Sequence, residues 1–211
     1  MIVGEVMVKD PITVKKGLSL KKAQELMQKN AIRHLPVVDT NGELLGIISE
    51  SDVRSSFLTS NLSSANGLSP AKIKVESFMT KSPLVVFPET NIEDAALVIY
   101  KNKIGALPVL KRNKLAGIIS IMDMLGLFID IMGILHSSSR IDVVMGNDPN
   151  NFDKVSKIIR AENLNIITVG MAPYRKSGHK QVFSFRLDLC QTENVTKKIE
   201  KAGFKVIASI D

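Results

Sequence analysis

The chain repeats itself, and the repeat constrains its fold more than any other feature. Val6-Met7, followed by Asp10-Pro11-Ile12-Thr13-Val14, returns as Phe78-Met79 followed by Ser82-Pro83-Leu84-Val85-Val86. Ala23, Ile32 and Leu35-Pro36-Val37 return as Ala95, Ile104 and Leu107-Pro108-Val109, all at an offset of 72 residues. After a one-residue deletion, Gly46-Ile47-Ile48-Ser49 and Asp52 return as Gly117-Ile118-Ile119-Ser120 and Asp123. A turn-marking Pro or Gly has no reason to recur together with its apolar neighbours in fixed order. One supersecondary unit is therefore built twice.

Each copy reads as strand, helix, strand, strand, helix. Short extended segments, Ile12 to Val14 and Leu84 to Val86, lead into the first helix of each copy. Ser19 is a good N-cap, with Leu20, Ala23, Leu26 and Met27 on one face of the helix that follows. In the second copy Thr90 and Glu93 have the spacing of a capping box, ahead of the stripe Ile92, Ala95, Ala96 and Ile99. Strands Leu35 to Val38 and Leu44 to Ser49 flank Asp39-Thr40-Asn41-Gly42, a strong hairpin signal. Lys111-Arg112-Asn113-Lys114 does the same work without glycine, and a second helix starts at Glu50 or Ile121.

Residues 55–75 hold the small polar run Ser60 to Gly67, the composition of a flexible surface linker. A second boundary is expected at His136-Ser137-Ser138-Ser139, dividing the chain into 1–75, 76–138 and 139–211. The last part changes pattern. Strand Ile141 to Met145, the turn Asn147 to Asn151 and a helix with Phe152, Val155, Ile158 and Ile159 come first. Asn163 closes that helix, and strand Ile166 to Met171, a polar hairpin over Pro173 to Lys180 and strand Val182 to Leu189 follow. A helix Glu193 to Ala202, a C-cap at Gly203 and a strand Phe204 to Ile210 complete βαββαβ, the order of a ferredoxin-like sandwich. The fold class is α+β.

Composition removes several functions. Cys190 is the one cysteine, so no disulfide framework or cysteine-rich zinc site is available, and its apolar neighbours predict a buried thiol. Three histidines far apart in sequence give a metal site little support. The apolar stretch Ile118 to Leu135 carries Asp123 and Asp130, which oppose a membrane span and favour a buried interface helix. The first residues lack a basic region followed by an apolar core, so they do not read as a secretion signal, and a cytoplasmic location is expected. The net charge of +7 is shared along the chain without a long basic tract or an aromatic stacking platform. A solvated basic surface accounts for most of those lysines.

Met7, Pro11 to Val14, Leu35 to Val38 and Gly46 to Asp52, with the matching second set, resemble a pair of CBS domains over about residues 1–128. The last part resembles an ACT domain, and the whole resembles CBS–CBS–ACT proteins of the acetoin-utilisation B type. The CBS resemblance implies one pseudo-symmetric (Bateman) module with two clefts for adenosine ligands: AMP, ADP, ATP or S-adenosylmethionine. It makes Asp52 and Asp123 ribose ligands and brings Ser49 and Ser120 to phosphate. It puts adenine at Ile12, Thr13, Ile32, Arg33, His34 and Pro36, and at Leu84, Val85, Ile104, Gly105, Ala106 and Pro108. Ser and Asp are equally at home as helix caps, and Ile32, Leu35, Ile104 and Leu107 equally as core. Arg33-His34 predicts a polyphosphate preference in the cleft that they line, against a neutral Gly105-Ala106 at the equivalent place in the other, and the sequence leaves open which repeat's residues close which cleft. The ACT resemblance is looser, because Asp148-Pro149-Asn150-Asn151 lacks the glycine that amino-acid-binding members carry after the first strand.

The expectation is a non-catalytic sensor. No glycine-rich phosphate loop, nucleophile–base pair or metal-spaced cluster argues for an enzyme. Nucleotide occupancy would reach the ACT-like domain or a regulated protein through the Met-rich helix from Ile121. The same helix suits a static dimer seam, and the resemblance implies a homodimer through such helices and, less directly, through the ACT-like domain. An amino-acid-responsive or scaffolding dimer is the alternative. A nucleic-acid-associated regulator ranks lower, and no membrane is implied.

Overall fold

A computed structural model of the chain describes residues 1–62, 72–146, 148–176 and 180–211, with backbone alone for 57–62. The first repeat contains α1 (Val3–Val6), β1 (Val8–Lys9), β2 (Val14–Lys15), α2 (Leu20–Lys29), β3 (His34–Val38), β4 (Leu44–Ser49) and α3 (Glu50–Leu62). The second contains a 3-10 turn at Val75–Ser77, β5 (Thr80–Lys81), α4 (Ile92–Asn102), β6 (Ala106–Lys111), β7 (Lys114–Ser120) and α5 (Ile121–Ile131). The chain then adds β8 (Ser139–Met145), α6 (Pro149–Ala161), β9 (Ile166–Pro173), β10 (Gln181–Leu187), α7 (Glu193–Lys201) and β11 (Lys205–Ile210). Two compact units result, Met1–Leu125 and Gly126–Asp211, so the division falls inside α5 rather than at the serines after it.

The repeats exchange their leading strands. β1 pairs antiparallel with β7 of the second repeat, and β5 pairs antiparallel with β4 of the first. The sheets are β2-β3-β4-β5 and β1-β7-β6, and Val14 and Val86 join theirs by parallel pairing with Val37 and Val109. This exchange explains two repeated features of the sequence. A Cβ on Gly46 would stand 2.7 Å from the Thr80 carbonyl and 2.8 Å from the Met79 sulfur. A Cβ on Gly117 would stand 2.6 Å from the Met7 sulfur and 2.8 Å from the Val8 carbonyl. Each glycine is the gap through which the other repeat's methionine and strand approach.

Local chemistry fixes the helices. Ser19 caps α2, its hydroxyl accepting from the Lys22 N–H, and Leu20, Ala23 and Met27 are buried against Leu35, Val37 and Ile48. Burial contributes about 1.5–3 kcal/mol for each of the Leu and Met side chains and about 0.8 kcal/mol for the methyl of Ala23. The capping box expected at Thr90 and Glu93 does not form. Thr90 Oγ1 instead accepts from the Phe87 N–H at 3.0 Å, and the helix starts one residue later, at Asn91. The N-terminal segment supplies the missing cap: the Ile92 N–H donates to the Met1 carbonyl, while the Val3 N–H donates to the Thr90 carbonyl.

The segment 55–75 is more ordered at its ends than its composition suggests. α3 continues to Leu62, and Leu20 and Val75 exchange backbone hydrogen bonds with Ile73 and Leu18. The remainder of the expected linker, 63–71, lies outside the described residues. The extended segments before α2 and α4 also sit later than expected, at Val14–Lys15 and the single bridge of Val86, leaving Ile12, Thr13, Leu84 and Val85 in loops. Asp10 and Ser82, each before a proline, hold left-handed angles of φ 50 and 47 that turn the chain between the exchanged strand and its own repeat.

The second unit is the expected βαββαβ sandwich, with antiparallel sheet order β11-β8-β10-β9. Its core joins Ile141, Val143, Phe185 and Leu187 of the sheet to Val155, Ile159, Val195 and Ile199 of the helices. α6 begins earlier than read from the sequence. Pro149 opens it and Asp148 caps it, accepting from the Asn150 N–H, so Asn150 and Asn151 are helical. Asn147 and residues 177–179 of the expected hairpin lie outside the described residues. Cys190 is half-buried rather than buried, its backbone tied to the Ser139 hydroxyl.

Candidate functional site

A cleft of about 720 Å³ opens between the two repeats, and both line it. Arg33, His34, Ile47, Ser49, Glu50, Asp52 and Arg54 come from the first; Thr80, Ser82, Pro83, Leu84, Lys103, Ile104, Gly105 and Ala106 come from the second. The strand exchange brings them together, because β5 lies beside β4 and carries Ser82-Pro83-Leu84 to the mouth of α3.

Ser49 and Asp52 form a reciprocal cap at the start of α3. The Ser49 N–H and hydroxyl donate to Asp52 Oδ2 at 2.8 and 2.7 Å, and the Asp52 N–H donates to Ser49 Oγ at 3.2 Å. Ser120 and Asp123 repeat the arrangement at 2.7, 2.7 and 3.3 Å. Capping and ligand binding are compatible here, since Oδ2 takes both bonds and Oδ1 has no partner among the described residues. The helix amides are less available to an anion than the sequence suggested. The Glu50 N–H donates to the Arg33 carbonyl and the Ile121 N–H to the Gly105 carbonyl, while the third amide of each helix is used by the cap.

Charge in the cleft differs from expectation. Burial holds His34 below the usual histidine range, against the pull of Asp52 and with Arg33 adding to the depression, so its imidazole is neutral near pH 7. Arg54 pairs with Glu50 at 3.2 Å. Arg33 and Lys103 have no ion-pair partner among the described residues, and they supply the positive charge at the rim. The polyphosphate contrast between Arg33-His34 and Gly105-Ala106 also fails in its premise, because all four residues line this one cleft. The His34 ring lies against Gly105, where a Cβ would stand 2.5 Å from Nε2.

Eight of the sixteen residues singled out from sequence line the cleft: Arg33, His34, Ser49, Asp52, Leu84, Ile104, Gly105 and Ala106. Ile12 and Thr13 are exposed ahead of β2, and Ile32 packs on the first repeat's core. Pro36 and Pro108 are buried inside β3 and β6, Val85 is half-buried beside Leu84, and Ser120 and Asp123 cap α5. Ile47, Glu50, Ser51, Arg54, Thr80, Ser82, Pro83, Asn102 and Lys103 were missed. Ser82, Pro83 and Lys103 adjoin residues already singled out, so their neighbourhood was a usable signal; Thr80 arrives only through the strand exchange. Among the described residues no cluster of His, Cys, Asp or Glu is placed to hold a metal, and no helix is long and apolar enough to cross a membrane.

The sequence profile of the CBS domain matches residues 3–59 and 75–130, more than half of the chain. The chain belongs to the CBS-domain family. Its CBS pair resembles a putative acetoin utilization protein from Vibrio cholerae at 30% identity and TM-score 0.55, covering 64% of this chain and 94% of that one. The protein CBSX2, solved in complex with AMP, is 33% identical with TM-score 0.52, covering 62% and 98%. The CBS pair of protein MJ0100, solved with 5′-methylthioadenosine and S-adenosyl-L-methionine, is 27% identical with TM-score 0.53, covering 61% and 95%. A homoserine O-acetyltransferase of Methanococcoides burtonii is 36% identical over 122 residues, 57% of this chain. The chain spans only 23% of that relative's length, so the likeness does not reach the whole enzyme.

Proposed function

We propose that this CBS pair is a non-catalytic regulatory module that binds an adenosine ligand in the Asp52 cleft. The observation that carries the reading is that Asp52, whose Oδ1 has no partner among the described residues, lines a cleft whose other wall is Leu84 and Ile104 to Ala106. A carboxylate held by its own cap is a ready acceptor for ribose hydroxyls, and the apolar wall suits a purine. Arg33 and Lys103 at the rim favour a nucleoside phosphate (AMP, ADP or ATP) over S-adenosylmethionine, whose sulfonium and amine are cationic. Solved neighbours with AMP and S-adenosyl-L-methionine support the ligand class.

Occupancy is relayed through α5, which is capped by Ser120 and Asp123 and along which the chain passes from one unit to the next. The βαββαβ unit, ACT-like in sequence, either receives the signal or presents it to a regulated protein. Relay requires that the ligand bind two arrangements of the pair with different affinity.

Titration calorimetry with AMP, ADP, ATP and S-adenosylmethionine tests the reading on wild type, Asp52→Asn and Asp123→Asn. Loss of a charge-assisted bond weakens binding about 10- to 100-fold in Asp52→Asn. A folded, ligand-free protein that binds none of the four overturns the proposal. ATP recovered as ADP after long incubation overturns its non-catalytic part.

A further inference from the structure

The fold gathers lysines that stand far apart in the chain onto one end of the first repeat. Lys15 and Lys16 precede α2, Lys21 and Lys22 occupy its first turn, and Lys72 and Lys74 arrive on the segment that leads to β5. Backbone bonds hold these pieces together. The Leu20 N–H donates to the Ile73 carbonyl, the Val75 N–H donates to the Leu18 carbonyl, and Ser19 pairs with Lys74 in an antiparallel bridge. All six lysines are exposed, and none forms an ion pair among the described residues. Residues 63–71, just before Lys72, contain no acidic side chain. The acids within these stretches are Glu25 and Glu76, and Oε2 of Glu76 accepts from the Gly17 N–H at 2.9 Å.

Folding does not require these charges. Lys21 and Lys22 stand at the positive end of the α2 dipole, where acidic side chains are the stabilising choice. At the repeat offset α4 carries Glu93 and Asp94 in the same two helical positions, and Phe87, Pro88 and Ile2 stand in the places of Lys15, Lys16 and Lys74. One framework is built twice, and only the first copy collects cations against its own dipole. An anion brought from outside relieves that conflict. Six separate point charges exceed what one phosphate group engages, and they suit a polymer of phosphates. Residues 15–25 and 72–76 contain no aromatic side chain for stacking on a base and no arginine for paired bonds to a base edge. The apolar residues between the lysines are turned inward: Leu18 and Ile73 are half-buried, and Leu20 and Val75 are buried, so no anchor is offered to a lipid surface.

We infer that this end of the first repeat binds the phosphodiester backbone of duplex nucleic acid without reading its sequence. Fluorescence anisotropy of the full chain with a labelled duplex, made once as DNA and once as RNA, tests it over a salt series. The wild type is expected to bind with Kd of about 1–100 μM at physiological salt and to weaken steeply as salt rises. Lys21→Glu/Lys22→Asp installs the residue types that α4 already carries in those positions. It is expected to raise Kd about tenfold or more and to lower the salt slope by about two. Its melting temperature is expected to rise, because the dipole conflict is gone. Lys72→Ala/Lys74→Ala, on the other side of the patch, is expected to weaken binding in the same direction. Lys154→Glu/Lys201→Glu makes the same change of net charge on α6 and α7 and is expected to leave Kd within about threefold of wild type. Circular dichroism verifies that each variant folds. A wild type that binds neither duplex saturably overturns the inference. Equal weakening by the patch and control reversals also overturns it, since net charge alone would then explain binding. So does capture by phosphatidylserine vesicles in place of either duplex.

Discussion

His34 and Gly105 occupy one space from opposite repeats: the imidazole fills the volume that a side chain at 105 would take, with Nε2 2.5 Å from the position of a Cβ. The atom in the way is the far end of a side chain, which can move, so Gly105→Ala is expected to cost under about 1 kcal/mol of stability. It turns His34 into the cleft instead. Nucleotide affinity is expected to fall several-fold, with a shift of the His34 ring resonances in NMR. Unchanged affinity and unchanged resonances would show that the contact does not shape the site.

The exchanged strands give a sharper stability prediction. Gly46→Ala and Gly117→Ala each force a Cβ against a backbone carbonyl as well as a methionine sulfur, and the carbonyl has little room to yield. Each is expected to destabilise by about 1–3 kcal/mol in urea unfolding. Gly126→Ala meets nothing within 4 Å and lies in α5, so it is expected to stabilise by about 0.5–1 kcal/mol. Equal effects at all three positions would refute the account of the strand exchange.

The caps at Ser49 and Ser120 are matched, which makes them a controlled pair. Removing either hydroxyl leaves the third helix amide without its acceptor, and Ser49→Ala and Ser120→Ala are each expected to cost about 1 kcal/mol. Thermal unfolding should rank them alike, with Ser49→Thr near wild type. A ligand added in saturating amount should separate the two if only the Asp52 cleft is occupied.

His34 makes stability depend on pH in a defined direction. Its folded pKa lies below the ordinary 6.5, so between those values the unfolded chain binds the proton more readily than the folded one. This contribution to stability is complete above pH 6.5 and is lost on acidification through the folded pKa. Urea midpoints at pH 7.5 and 5.5 should differ, and His34→Gln should reduce the difference. A mutant with the wild-type pH slope would show that other groups carry it.

Much of this was legible in the chain itself. The 72-residue recurrence specified two copies of one unit, the apolar spacing of Leu20, Ala23 and Met27 gave α2 its buried face, and the order of elements after Ser139 gave the sandwich. The pairing of Ser49 with Asp52 was legible too, because a cap acts over three residues and needs nothing from elsewhere in the chain. Thr90 shows the limit of that rule. Its spacing to Glu93 is right for a box, yet the Phe87 amide claims its hydroxyl and the N-terminal segment caps the helix.

What only the tertiary structure decided is which repeat closes which cleft. The offset pairs Arg33 with Gly105 as equivalents, and the sequence leaves open which repeat's residues close which cleft. In the fold the exchange of β1 and β5 lays one repeat's strand along the other's sheet, so these equivalents line one cleft. The same packing desolvates His34 and lowers its pKa, so a residue that reads as a source of positive charge in the sequence brings none to the cleft near pH 7. Local spacing determines helices, strands and caps because their bonds join near neighbours. The composition of a cleft and the charge of its lining depend on long-range approach and on exclusion of water, and neither is written in the order of residues.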